Sequence, residues 1–464
     1  MRRFSILKWV WILGLILSTI ALILSGSCKI LNSKALAFCG EVIFKPTFGW
    51  VALVGLLLAV PLIVATRQDS PSNLDKMMAG MGFFLLVARA IYVAFPRVFL
   101  GGDLGDFSIY YAGMHLLYSG NNPYSVGGSV TFPLPAFFLY FLASLGGNLN
   151  AGQTYLVWWV INAVSASALI IISLHRMWDH SNSRIDVFVF TLFVLLSGIW
   201  DAMSHGQTTV LAALGVAIYM WCKFKKQREL ELIGVLSLAL AVMLKPYLGI
   251  GIAGGIGIGL VARRWRIIAQ MSVTLIIIAI SIGLSIMAPG GIDSRTYFEF
   301  WDSFQRLGST TGLVTTAFNG GLYGNISPVS AIALMIGRLG IKQINDGWLS
   351  TTLGLVILIV ISCILLLRFW QNHLNQDDRI DNYWVPYFYA SVSLLKISYT
   401  HYTSWLIPTV DVSIRKSALI QMIGLLFFLA LLDLDIGWIG ALALAVLLGL
   451  SVNIALLPPF SRNT

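Results

Sequence analysis

Apolar runs recur along almost the whole chain, each too long for a strand and each followed by a short polar link. Residues 9–25, 48–65, 77–95, 154–174 and 267–287 show the pattern. A helix needs about 20 apolar residues to cross the hydrocarbon of a bilayer, and only helices or closed barrels satisfy their backbone groups there. Barrel strands would appear as segments of about 10 residues with alternating polarity, and the sequence has none. Charged residues make up 11% of the chain and apolar ones 58%. Soluble domains carry about 25% charge. The pattern therefore predicts an all-α, polytopic integral membrane protein.

The net charge of +10 fits cytoplasmic links rich in Lys and Arg. No basic segment combines length with solubility, so no nucleic acid is expected as a partner. Arg2, Arg3 and Lys8 keep the N-terminus inside, ahead of a first helix at 9–25 whose apolar part is too long for a signal peptide. Helix 2 covers 48–65 and helix 3 covers 77–95, leading outward. Arg176 and Arg184 mark a loop at 175–184 as cytoplasmic. KFKKQRE at 223–229 marks the next such loop, and Arg263, Arg264 and Arg266 another. One span, 154–174, enters the first of these loops. Residues 106–118 and 132–146 are therefore read as helices on, or dipping into, the outer face. The alternative is an ordinary span at 132–146, which would put Asp106 and His205 on opposite sides. Further helices are expected at 186–200, 208–222, 231–247, 248–262, 267–287 and 349–368. The positive-inside pattern gives about 11–14 transmembrane helices in a single domain over 1–464. Within it, 1–76 holds extra N-terminal helices, and 96–153 and 288–340 form two outer loops.

Charge at membrane depth costs about 2.5–3.5 kcal/mol on insertion scales, so each such residue needs a partner or a use. Asp103, Asp106, Asp201, His205 and His401 fall near the outer face, and Lys245 falls at the outer turn of the hairpin 231–262. Asp106 opens DFSIYYAGMHLL, with Tyr110 one turn on along the same face. A carboxylate there serves as a helix cap or as a base. Asn121, Asn122, Pro123 and Tyr124 form a turn that offers amide donors and a ring to a sugar. In DAMSHGQ, His205 and Gln207 flank a glycine where backbone can approach a ligand closely. Lys245–Pro246 breaks an apolar run, either as a snorkelling lysine or as the partner of a phosphate. His401 interrupts two apolar segments, as a structural or a catalytic histidine. Phosphate-loop, zinc-protease and dinucleotide motifs are missing. No paired acidic metal motif precedes a soluble nucleotide domain, which argues against a soluble nucleotide sugar as donor. Cys222 and Cys363 read as packing residues, whereas Cys28 and Cys39 share one outer loop and would pair in an oxidising compartment.

Taken in order, Asp106–Phe107, Tyr110–Tyr111, Gly120 to Tyr124, Phe132 to Pro135, Gly206–Gln207 and Lys245–Pro246 resemble glycosyltransferase family 87. Asn319 to Ser327 and the His401 segment are similar in style. The resemblance implies a GT-C-like helical bundle with its active site on the extracytoplasmic face of the plasma (inner) membrane. It implies a polyprenyl-phosphate-sugar donor, most often of mannose, and a lipid or glycan acceptor, with membrane lipids around the tail. It implies a carboxylate as general base, here Asp106, with His401 as a second catalytic residue. Substrate contacts are then expected from Asp103, Tyr110, Asn122, Tyr124, His205, Gln207, Lys245 and Asn319. No metal and no cofactor are required, because the donor carries one phosphate. Two other classes fit the composition. A flippase of lipid-linked sugars would more often show internal repeats, and none is seen. A surface-polysaccharide polymerase or ligase would favour several arginines in a large outer loop, and 288–325 holds only Arg295 and Arg306.

Overall fold

The computed structural model describes residues 106–123, 149–180, 197–225, 228–261, 263–287, 346–372, 380–394, 400–409 and 437–456, with short pieces at 190, 193–194, 298–299, 328–329, 332 and 427–428. Asp103, Tyr124, Asn319, Cys28, Cys39, the N-terminal helices of 1–76, the 132–146 segment and most of 288–340 lie outside the described residues. The chain divides into two compact units. One is Met1–Asp103 with Met177–Leu196; the other, Leu104–Arg176 with Ser197–Thr464, carries the site.

All regular structure among the described residues is helical. Helix α1 spans Asp106–Tyr118, with the expected bounds. It starts on an acidic residue, which suits the positive end of a helix dipole. It ends where Gly120 takes φ 76°, with the amide of Asn121 donating to Leu116 O at 2.8 Å. A left-handed residue is needed to turn the chain back on its last carbonyls, and glycine adopts it without strain.

Helix α2 runs Ala151–His180. Asn150 caps it: the Gln153 amide donates to Asn150 Oδ1 at 2.9 Å, and Asn150 N donates to Gln153 Oε1 at 3.2 Å. This reciprocal pair satisfies two otherwise orphaned donors. The helix continues to His180, into the segment expected to be a loop at 175–184. Arg176 is helical and buried, donating to Pro408 O at 2.8 Å. An arginine that reads as a loop charge instead donates to a main-chain carbonyl brought from far along the chain.

Helix α3 is the short Ile199–Ser204. Helices α4 (Thr209–Lys225) and α5 (Arg228–Leu244) form a tightly packed hairpin. Along α4, Val210, Ala213, Val216, Ala217 and Tyr219 are almost fully buried, so this helix is the centre of the unit. Helix α5 stops at Leu244, short of the expected 247. Lys245 is extended (φ −138°, ψ 89°), and a one-turn 3-10 helix, Pro246–Leu248, follows. Steric conflict with the proline ring excludes the helical conformation for the preceding residue, so Lys245 lies in a link outside both helices.

Helix α6 (Gly249–Val261) packs on α7 (Trp265–Met287). Helix α8 spans Asp346–Asn372, α9 Ile380–Ser393 and α10 Gly437–Leu456, with a second 3-10 helix at Thr400–Thr409. That 3-10 helix packs against α3 and α4, and Thr403 Oγ1 accepts from the Gly198 amide at 2.7 Å.

Among the described residues two stretches, Gln153–Ser173 and Trp265–Leu284, are long and apolar enough to cross a membrane. Helix α7 exposes Trp265, Ile276, Ile280, Leu284 and Met287, and α8 exposes Leu355, Val356, Ile359, Val360 and Leu367. Apolar surface on this scale belongs against lipid or another apolar partner. Cys222 is buried as expected, whereas Cys363 is exposed within the apolar face of α8.

Candidate active site

The site forms where the first turn of α1, the start of α2, the turn after α3 and the link after α5 meet. Local sequence sets each piece. In α1 the apolar side is Phe107, Tyr110 and Met114, each 1% exposed. The Phe107 ring packs edge-on against Tyr155 (centroids 5.4 Å apart) and stacks on Trp158 (6.3 Å). Tyr111 donates to Leu149 O at 3.1 Å, just before α2. Burial of Phe107 thereby fixes the azimuth of α1, and with it the direction of Asp106 beside it.

The turn after α3 is clamped from three sides. Gly206 has φ 64°, and a side chain there would put Cβ 2.7 Å from Phe107 Cβ. Its carbonyl accepts from Trp158 Nε1 at 2.7 Å. The Phe107 amide donates to the His205 carbonyl at 3.2 Å, and the Gln207 amide to Ala202 O at 2.8 Å. Glycine is required at 206 for both the left-handed conformation and the close approach.

This turn delivers Gln207 beneath Asp106. Gln207 is 1% exposed. Its Nε2 donates to Asp106 Oδ2. Its Oε1 accepts from Tyr110 Oη at 2.8 Å and from Lys245 Nζ at 3.2 Å. The amide orientation is thus forced. An ammonium can only donate, so the oxygen must face Lys245 and the nitrogen is left for the carboxylate. Asp106 itself is half-buried.

The electrostatics follow from that arrangement. Burial, reinforced by the Asp106 charge, pushes the Tyr110 hydroxyl well above its ordinary value. Tyr110 therefore stays protonated and remains a donor. Lys245 is 9% exposed. Burial lowers its ammonium from 10.5 to about 8, and the Asp106 charge opposes the change. The Lys245 ammonium thus lies one amide away from the Asp106 carboxylate, with Gln207 bonded to both.

His205 stands beside the network. Its Nδ1 lies 3.0 Å from both the carbonyl and a carboxylate oxygen of Asp201, and both side chains are partly exposed. His401 belongs to the second 3-10 helix. In that helix Trp405 lies against Tyr247, two residues after Lys245, with centroids 6.5 Å apart. Asn122 lies past the far end of α1 and donates to Glu299 Oε2 at 2.5 Å. It is therefore not part of the Asp106 network.

Of the residues singled out from the sequence, the structure joins Asp106, Tyr110, Gln207 and Lys245 directly, with His205 adjacent. Three partners escaped sequence reasoning: Trp158 on Gly206, Asp201 on His205 and Glu299 on Asn122. The spacing of Asp201 and His205 by one helical turn was the signal for the second; the other two are long-range and leave no local mark. Among the described residues no group of three or more His, Cys, Asp and Glu side chains is arranged to hold a metal ion.

The model of glycosyltransferase family 87 matches residues 132–379. The matched region contains Gln207 and Lys245, and Asp106 precedes it. Neither the curated proteins nor the solved structures give a match.

Proposed function

The chain belongs to glycosyltransferase family 87, and from that premise we propose that it is a multi-pass membrane enzyme with Asp106 as its general base. The donor is a polyprenyl-phosphate hexose, with mannose the first sugar to try, and the acceptor is a lipid or glycan hydroxyl. The reaction runs on the extracytoplasmic face of the plasma membrane, in a GT-C-like bundle.

The steps balance without a metal. The acceptor oxygen attacks C1 of the sugar and gives its proton to the Asp106 carboxylate as the new C–O bond forms. The bond from C1 to the phosphate oxygen breaks, and its electron pair leaves on polyprenyl phosphate. Inversion at C1 follows from attack opposite the leaving group. A positioned base is worth about 10²–10⁴ in rate. His401 is proposed to relay the proton or to touch the phosphate. Asp103, Tyr124, Asn319 and Asn122 are proposed as sugar contacts.

The observation that carries this reading is the buried set beneath Asp106: one amide that donates to the carboxylate and accepts from Lys245 and Tyr110. A helix cap needs no such support, whereas a carboxylate that must stay charged and aimed does. The test is transfer of labelled mannose from polyprenyl-phosphate-mannose to native lipid extract by purified wild type and Asp106→Asn. Activity in wild type with a loss of about 100-fold or more in the variant supports the proposal. Equal activity in both removes Asp106 as base.

A further inference from the structure

The connections from α4 to α5 and from α6 to α7 lie at the end of these helices away from the Asp106 network, and polar side chains tie that end together. The Tyr219 hydroxyl of α4 donates to Gln270 Oε1 of α7 at 3.1 Å. Gln270 Nε2 donates to Glu231 Oε2 of α5 at 3.3 Å, and the Arg266 guanidinium of α7 pairs with the same carboxylate. The stretches that make the two connections, 223–231 and 263–266, hold seven basic residues and two acidic ones, so positive charge is in excess there.

The turn from α6 to α7 presents part of that charge in an unusual way. Arg263 has φ 52° and is the one described residue other than glycine in the left-handed region. The amides of Arg263 and Arg264 donate to Leu260 O at 3.2 Å and Gly259 O at 2.8 Å, closing α6 in a motif whose left-handed position is ordinarily glycine. A strained residue persists where the surrounding structure holds it, and such positions collect at binding and switch sites. Arg263 is exposed, Trp265 is 72% exposed, and Leu260 and Val261 just before them are exposed too. Aliphatic surface followed by a cation and an aromatic ring is the order of a membrane interface, where rings sit at headgroup level.

We propose that Arg263 binds the phosphate of an anionic phospholipid at this end of the bundle, with Trp265 setting the depth of the turn in the headgroup layer; the proposal rests on the reading of the chain as a multi-pass membrane enzyme. The guanidinium fork matches two phosphate oxygens. The Tyr219, Gln270, Glu231 and Arg266 network holds the first turns of α7 against α4 and α5, so Arg263 and Trp265 stand on a fixed platform. Topology alone asks only for positive charge near this end, and neither a left-handed arginine nor an exposed tryptophan is needed to supply it.

The experiment is equilibrium binding of labelled phosphatidylglycerol to the purified full-length chain in neutral detergent micelles, with phosphatidylcholine as the neutral control. Wild type is expected to prefer phosphatidylglycerol, and salt at about 1 M, where the screening length is about 3 Å, should remove most of the preference. Arg263→Gly should bind phosphatidylglycerol about 5-fold more weakly, the worth of one basic residue at an anionic surface, with phosphatidylcholine unchanged. Its melting temperature without phosphatidylglycerol should equal or exceed that of wild type, because glycine takes the left-handed conformation without strain. Arg263→Lys should stay within about 2-fold of wild type. The proposal is overturned if Arg263→Gly binds phosphatidylglycerol like wild type, if Arg263→Lys loses as much as Arg263→Gly, or if wild type does not distinguish the two lipids. A chain that takes up neither lipid sinks the membrane reading and this proposal with it. Normal sugar transfer by a wild type indifferent to phosphatidylglycerol sinks the proposal alone, whereas Asp106→Asn should lose transfer and keep the lipid preference.

Discussion

Gln207→Glu tests the central arrangement with little change in volume. The new carboxylate still accepts from Tyr110 and Lys245, the two donors that face Oε1. What changes is the side facing Asp106, where an N–H donor becomes a second anion. Two unit charges about 4 Å apart at an effective dielectric of about 20 repel by about 4 kcal/mol. The pair relieves this by sharing one proton, and a shared proton disables Asp106 as a base. Sugar transfer at neutral pH should therefore fall by about 10²–10⁴, the worth of a general base, and recover in part as pH rises. The fold should survive, because Lys245 gains a direct ion pair. Gln207→Leu sharpens the comparison. It orphans the Tyr110 hydroxyl and the Lys245 ammonium, at about 1–3 kcal/mol each, so it should lower both the melting temperature in detergent and activity. Steady-state transfer and thermal melting of the three proteins decide the matter. Wild-type activity in Gln207→Glu across neutral pH would refute the view that this amide holds Asp106.

Gly206→Ala demands a left-handed alanine, worth about 1–2 kcal/mol, and puts a methyl carbon 2.7 Å from Phe107 Cβ; a drop in melting temperature with a loss of kcat of about 10-fold or more is expected. Trp158→Phe removes the donor to Gly206 O while keeping an aromatic ring against Phe107, and should cost about 1–3 kcal/mol in unfolding measurements without abolishing transfer. Lys245 gives a pH signature with two opposite signs. Its folded value of about 8 lies below the ordinary 10.5, so between those two values the unfolded chain binds more protons than the folded one. Melting temperature should then rise with pH across that window, while transfer falls above about pH 8 as the charge behind Asp106 is lost. Lys245→Met should flatten both limbs.

Helix α1 was legible in full. Its acidic start, its apolar face and the Gly120 stop are all local signals, and the observed bounds equal the expected ones. The break at Lys245–Pro246 was legible too, although its register was set too late because proline acts on the residue before it. The site was legible as a list of residue types at the ends of helices. Its internal wiring was not. Gln207 was singled out as the neighbour of a glycine and Lys245 as a break in an apolar run, and the structure places both beneath the Asp106 carboxylate, a pairing that neither signal contains. Arg176 read as a charge in a cytoplasmic loop because basic residues cluster there, and helix α2 carries it instead to Pro408.

The sequence by itself determined that this chain is helical, apolar over most of its length and furnished with a few polar residues that must have partners. Those properties depend on composition and on short-range periodicity, which act within a turn or two. Only the tertiary structure decided which partners they take. The bond from Gln207 to Asp106 closes 101 positions of chain, and that from Arg176 to Pro408 closes 232. Such pairings follow from which helix faces pack together, and the clamp of Phe107, Trp158 and Gly206 is the packing that fixes them here. In an apolar interior most buried polar groups find a partner, but the sequence names only the group and leaves the partner to the fold.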